Sequence, residues 1–164
     1  MKKYLVTGGA GFIGANFVKY IVGKYGSDVS VLVFDSLTYA GNLVTIADEL
    51  RLPNVEFVKA DIRDAGAVAE ALRAFDPDYV VNFAAESHVD RSIENPQLFL
   101  EPNILGTQNL LERVREAWLE GTDPDGRPRY REGKRFLQIS TDEVYGSLRR
   151  TEGPARPLTL SENV

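Results

Sequence analysis

Residues 29–34 read VSVLVF, a run that is apolar at nearly every position and so on both faces of an extended strand. Such a strand does not sit half in water; it belongs inside a parallel sheet covered by helices on both sides. The segments around it supply the rest of that sheet. Tyr4 to Thr7, Val55 to Val58, Tyr79 to Phe83 and Phe136 to Ser140 are short runs of strand-forming residues. Helical patterns alternate with them: Phe12 to Lys24, Ala65 to Phe75, and a long stretch from about Pro96 to Trp118. In the second of these, Ala67, Val68, Ala71, Leu72 and Phe75 share one face, and Pro77 ends it. The long stretch carries Ile104, Leu105, Leu111 and Val114. Strand, helix, strand, repeated, predicts right-handed crossovers and an α/β, doubly wound parallel sheet that stops after about five strands.

Composition narrows the function classes. At 164 residues the chain suits one compact domain, and 43% apolar with 26% charged residues is ordinary for a globular protein. With no cysteine and one histidine, His88, it has no disulfide, thiolate metal site or multi-histidine metal centre, so no metal is expected. A net charge of −5 speaks against nucleic acid and anionic membranes as partners. No apolar run approaches the roughly 20 residues a membrane span needs. MKKYLVTGG has no long apolar region before its glycines, so it does not read as a signal peptide. A cytoplasmic chain is the expectation. Two segments lack periodicity. Glu120 to Lys134 is polar, with glycines and prolines, and reads as a surface insertion, its Arg127, Arg129, Arg131 and Lys134, with Arg135 just after, a solvated cluster without function. Ser147 to Val164 reads as an irregular tail after a domain that spans residues 1–146.

Between the first strand and the first helix stands TGGAGFIG, with Gly8, Gly11 and Gly14 in G-x-x-G-x-x-G spacing. That context is the one a dinucleotide fingerprint requires. Gly8 permits the tight turn, Gly11 lets the backbone approach a pyrophosphate, and Gly14 allows close helix–strand packing. The helix N-terminus offers free N–H groups and the positive end of its dipole. Asp35 follows VSVLVF directly, about 20 residues after the last glycine, where an acidic side chain meets ribose hydroxyls and repels a 2′-phosphate. NAD is therefore favoured over NADP, although Asp35 as a plain turn or capping residue stays open. Asp61, at the end of the third strand, is placed for the adenine edge. The sheet is then of Rossmann type.

Glycine spacing and Asp35 together resemble the extended short-chain dehydrogenase/reductase superfamily. FDSLTYAGN (34–42), KADIRD (59–64), NFAAESHVDRSIENP (82–96) and ISTDEVYG (139–146) make the chain similar to the N-terminal portion of the dTDP-glucose 4,6-dehydratase family. The resemblance implies NAD contacts at Phe12, Ile13, Asp35, Ser36, Leu37, Thr38, Asp61, Ile62, Ala84, Ala85, Glu86 and Ser87. It implies His88 on the sugar nucleotide, Thr141 on the glucosyl ring, Asp142 as general acid and Glu143 as general base. Pro102 departs from the pattern, standing where the family usually has a cofactor-contacting threonine, while Asn103 and Thr107 keep it. Pairing through helices, a homodimer, is usual in the family.

The implied reaction is NAD-dependent dehydration of dTDP-glucose to the 4-keto-6-deoxy sugar nucleotide: hydride abstraction at C4, loss of water across C5 and C6, and hydride return to C6. Two neighbouring carboxylates can act as acid and base when their surroundings push their pKa values apart. Asp142 and Glu143 follow a strand's carboxyl end, the binding edge of open α/β sheets, although most such pairs are solvated loop residues. In the superfamily a Tyr-x-x-x-Lys pair beyond the fifth strand supplies the C4 base. Tyr20 with Lys24 and Tyr130 with Lys134 match the spacing in the wrong places, Tyr145 is followed by Arg149, and no tyrosine follows Gly146. The 164-residue chain is thus expected to bind NAD weakly and to turn over no substrate. A non-catalytic nucleotide-binding module, or a related nucleotide-sugar epimerase or decarboxylase, is the alternative.

Overall fold

The computed structural model describes residues 1–141 and residue 144, the side chain of Val89 excepted. Five strands form one parallel sheet: β1 (Lys2–Thr7), β2 (Val29–Asp35), β3 (Val55–Lys59), β4 (Tyr79–Asn82) and β7 (Arg135–Gln138), in the order β3-β2-β1-β4-β7. β2 is buried along its whole length, as its two-faced apolar pattern requires. The register aligns Val58, Phe34, Thr7, Asn82 and Gln138 in a single row at the carboxyl edge.

Helices cover both faces. On one, α2 (Ala65–Phe75) and α5 (Thr107–Trp118) pack Val68, Leu72, Phe75, Leu110, Val114 and Trp118 onto Leu5, Leu32, Phe34 and Val80. On the other, α1 (Phe12–Tyr25) sets Ala15, Val18, Ile21 and Val22 against Val6, Val31 and Val33. Alternation along each strand divides these two clusters, so consecutive side chains serve opposite layers. The fold is the expected Rossmann-type sheet. No helix among the described residues is long and apolar enough to cross a membrane.

Three regions differ from the sequence-based expectation. The long helix runs from Gln97 to Trp118 but in three parts: α4 (Gln97–Leu100), a π-helical turn (Glu101–Gly106) and α5. Pro102 stands in that turn, where its missing N–H breaks the regular ladder. A short helix, α3 (Val89–Glu94), precedes it. The supposed insertion folds into an antiparallel hairpin of β5 (Leu119–Thr122) and β6 (Pro128–Tyr130), with a register shift between Leu119 and Gly121.

The basic cluster expected to be solvated is partly structural. Lys134, with a side chain only 10% exposed, donates to Pro77 O at 2.9 Å and pairs with Asp76 and Asp78, each at 3.3 Å. Arg131 pairs with Asp76, and Asp78 also accepts from the Lys3 backbone N–H at 3.0 Å. These bonds fasten the segment after the hairpin to the amino edge of the sheet. Partial burial alone would raise the Asp78 carboxyl; the Lys3 N–H and the Lys134 ammonium override it and hold it below the usual carboxylate range. Asp76 is held down likewise, by Arg131 and Lys134 against its own desolvation.

A carboxyl with a depressed folded pKa stabilises the fold above its unfolded pKa of about 4 and loses that contribution as pH falls through the folded value. Asp78→Asn is expected to cost about 1–2 kcal/mol at pH 7 in urea denaturation. The difference from wild type should shrink on acidification below about pH 4. A gap independent of pH would show that the ion pair contributes nothing.

Candidate functional site

The loops leaving the carboxyl edge enclose a cleft of about 300 Å³. The first is the glycine turn. Gly8 has φ of +65°, which a side chain disfavours, and its N–H donates to Phe34 O at 2.9 Å. A β-carbon on Gly8 would stand 2.6 Å from the Ala84 nitrogen, so this turn lies directly against the loop after β4. A β-carbon on Gly14 would overlap the Gly8 carbonyl oxygen and reach 2.9 Å from its carbon. The close approach expected at Gly14 is therefore between helix and turn, not helix and strand.

Gly11, the residue before α1, provides no side-chain cap. Helix α2, in contrast, is capped by Asp64, whose carboxylate accepts from Gly66 N at 2.9 Å and Ala67 N at 3.0 Å. The leading N–H groups of α1 and its positive dipole end are thus left for an anion.

Asp35 ends β2 and is buried. Its Oδ2 accepts from Ala10 N at 3.0 Å and its Oδ1 from Leu37 N at 2.8 Å. It is therefore a turn residue, holding two loops together. A carboxylate has about four acceptor positions, so capacity remains for ligand hydroxyls. The bond to Leu37 holds that residue at φ of +52°, unusual for a non-glycine.

Of the expected cofactor contacts, Gly8, Gly11, Asp35, Ser36 and Thr38 line the cleft from the first two loops. Asp61 and Ile62 line it from the loop after β3, and Ala84, Ala85 and Glu86 from the loop after β4. Phe12 and Ile13, 84% and 61% exposed, stand at the start of α1 outside the lining. Gly14 lies beneath the turn, and Leu37 and Ser87 are also outside the lining. His88 is exposed and begins α3, its carbonyl accepting from Arg91 N at 3.1 Å. Thr141 is exposed beyond the end of β7, and Asp142 and Glu143 lie outside the described residues.

Several lining residues were not marked in the sequence, Arg63, Arg91, Leu98 and Glu101 among them, whereas Pro102, singled out there as a departure at a cofactor-contacting position, does line the cleft. Arg63 grips Asp61 through its guanidinium at 2.7 to 3.1 Å and its backbone N–H at 2.8 Å, and it also pairs with Glu101. Burial would raise the Asp61 carboxyl, but these bonds hold it low, so it stays an acceptor. Ile62 is fixed from behind: Asn109 Nδ2 donates to its carbonyl at 2.6 Å, and Gly106 packs so close that a β-carbon would reach 2.8 Å from its side chain. The Asn103 amide clamps the backbone of Glu86, accepting from its N–H at 2.8 Å and donating to its carbonyl at 2.9 Å. Tyr20 and Lys24 do meet, at 2.8 Å, but on the exposed side of α1.

Residues 5–157 match the sequence family described as GDP-mannose 4,6 dehydratase. The chain belongs to that family. Within it, the motif resemblance to dTDP-glucose 4,6-dehydratases stands. The chain is 51% identical to the dTDP-glucose 4,6-dehydratase of Xanthomonas campestris over 151 residues, 92% of this chain and 41% of that protein. The crystal structure of dTDP-glucose 4,6-dehydratase from Bacillus anthracis, in complex with NAD, superposes with a TM-score of 0.73 at 36% identity, covering 100% of this chain and 45% of that one. That of dTDP-glucose 4,6-dehydratase from Streptomyces venezuelae, also with NAD, gives 0.64 at 51% identity over 70% of this chain and 36% of that one. The chain thus spans about two-fifths of the length of the curated relatives it matches.

The family's glycine turn allows a sharp test on one helix. Gly14→Ala is expected to destabilise by about 1–3 kcal/mol, because backbone has to move. Gly23→Ala, also in α1 but with nothing within 4 Å of its β-carbon, should stabilise by about 0.5–1 kcal/mol. Thermal melts of both variants check this; equal shifts would mean that the turn is not packed as described.

Proposed function

We propose that residues 1–146 are the NAD-binding domain of a cytoplasmic dTDP-glucose 4,6-dehydratase. One observation carries the reading: the uncapped start of α1, the Gly8 turn and the Asp35 carboxylate meet in a single cleft at the carboxyl edge of a doubly wound sheet. The chemistry of these groups fits a dinucleotide. The α1 N–H groups suit its pyrophosphate, and the buried Asp35 side chain suits ribose hydroxyls and disfavours a 2′-phosphate. Ile62 and Asp61, held by Asn109 and Arg63, suit the adenine. Bound NAD supplies a reversible hydride acceptor, and the chain's own residues supply binding, orientation and proton transfer. The NAD in the Bacillus anthracis and Streptomyces venezuelae structures supports the choice of cofactor.

Substrate chemistry is assigned to the residues after β4 and β7. His88 meets the sugar nucleotide, Thr141 the glucosyl ring, Asp142 protonates the leaving hydroxyl and Glu143 removes the C5 proton. The adjoining Glu143 charge favours a proton on Asp142 at neutral pH. The high identity to dTDP-glucose 4,6-dehydratases supports elimination over epimerisation. Ile104, Leu105 and Leu111 are exposed while α5 buries Leu110, Val114 and Trp118, which suits pairing of two copies through this helix. The 164 residues hold no Tyr-x-x-x-Lys beyond β7, so on their own they are proposed to bind cofactor without turning over sugar.

Calorimetric titration tests the first part. NAD should bind, NADP at least about tenfold more weakly, and Asp35→Asn should narrow that difference. Absence of saturable binding at millimolar NAD overturns it. Incubating the 164-residue chain with NAD and dTDP-glucose should yield no 4-keto-6-deoxy product; robust turnover would refute the claim that it is catalytically incomplete.

A further inference from the structure

Beside the cleft, the side chain of Tyr39 joins the loop after β2 to the loop after β4. Tyr39 donates its hydroxyl to Glu86 Oε2 at 2.9 Å, 47 residues away in sequence. Its ring lies against the Arg91 guanidinium, 4.1 Å from carbon to ring centroid. Glu86 and Arg91 line one side of the cleft; Thr38 and Ala40, on either side of Tyr39 in the chain, line another. Both ends of this bridge are anchored. The Asn103 amide holds the backbone of Glu86 in two bonds. The loop carrying Tyr39 is held at its ends by Asp35 to Leu37 N, by Gly41 N to Thr38 O at 3.0 Å, and by Asn42 N to Ala10 O at 2.9 Å. Between two fixed points stands one hydrogen bond and one cation–π contact, with Tyr39 59% exposed.

We infer that Tyr39, Glu86 and Arg91 form a clasp that closes over the cleft and has to break each time a dinucleotide enters or leaves. The inference rests on the NAD-binding reading for its ligand, but the clasp itself is a property of the free chain. Solvent competes with an exposed hydrogen bond, and cation–π contacts at such sites are weak, so the clasp opens readily. It therefore sets the rate of exchange more than the affinity. A group that merely touched the ligand would slow release alone; a gate slows entry and release together.

Two measurements on wild type, Tyr39→Phe and Arg91→Gln decide it. In the free chain, hydrogen–deuterium exchange over residues 36–42 should quicken about three- to tenfold in Tyr39→Phe, which keeps the ring, and less in Arg91→Gln. In stopped flow, both the association and dissociation rates of NAD should rise by about the same factor in Tyr39→Phe, whose side chain is outside the cleft lining, with affinity within about twofold of wild type. Unchanged amide exchange in both variants overturns the clasp whether or not NAD binds. Faster amide exchange with unchanged NAD rates, or with a rise in dissociation alone, overturns the gate. If wild type binds no NAD, the cofactor reading falls while amide exchange still decides the clasp.

Discussion

The carboxyl edge of the sheet depends on one buried amide. Asn82, fully enclosed at the end of β4, accepts from Thr7 Oγ1 and from Ala84 N at 3.2 Å, and donates to Gln138 Oε1 at 2.8 Å. Thr107 at the start of α5 lies 3.5 Å from the same nitrogen. Three strands are thus tied at one level by polar side chains, in a row otherwise filled by Phe34 and Val58. Leaving such a group unpaired costs about 1–3 kcal/mol, so the network tolerates only one register. That register places Asp35, the last residue of β2, beside Gly8 and Phe83, the first residues of the loops after β1 and β4. The cleft follows from it.

Behind the loops, the same device recurs: a side-chain amide holding a backbone group. Asn109 holds Ile62, and Asn103 holds Glu86. Asn103 comes from the π-helical turn that Pro102 introduces between α4 and α5, and Asn109 from the first turn of α5 just after it. A wider turn shifts the residues after it around the helix axis relative to those before. The break at Pro102 thus belongs to the site, since Pro102 itself lines the cleft. A regular helix from Pro96 onward would aim Asn103 differently.

Segments whose burial follows a simple period were legible. Ala65–Phe75 and the core of VSVLVF come out as read, because each buries one stripe or two faces and the pattern states which. The hairpin of β5 and β6 was not, since its residues are mostly exposed and show no alternation. Nor was α3, six residues, too short to show a helical period. In the site, the glycines and Asp35 were readable because local backbone geometry demands those residue types. Arg63 and Glu101 were not, for their meeting spans 38 residues and is set by packing. The reading of Lys134 as solvated failed for the same reason: its partners come from the loop between α2 and β4.

The two edges of the sheet are stabilised in different ways, and this has a functional logic. At the amino edge, charged side chains reach backbone and carboxylates together: Lys134 to Asp76, Asp78 and Pro77 O, and Lys3 to Phe75 O at 3.1 Å. Those bonds join elements that have no reason to move. At the carboxyl edge firm bonds lie at the bases of the loops, while the loops after β2 and β4 are linked at their tips by the exposed Tyr39 contact. Local opening draws on the weakest cooperative unit, so a fluctuation there parts the loops without disturbing the row of Thr7, Asn82 and Gln138 beneath them. A rigid floor under a separable rim is what the proposed clasp requires: the groups at the loop bases stay in place while the tips part.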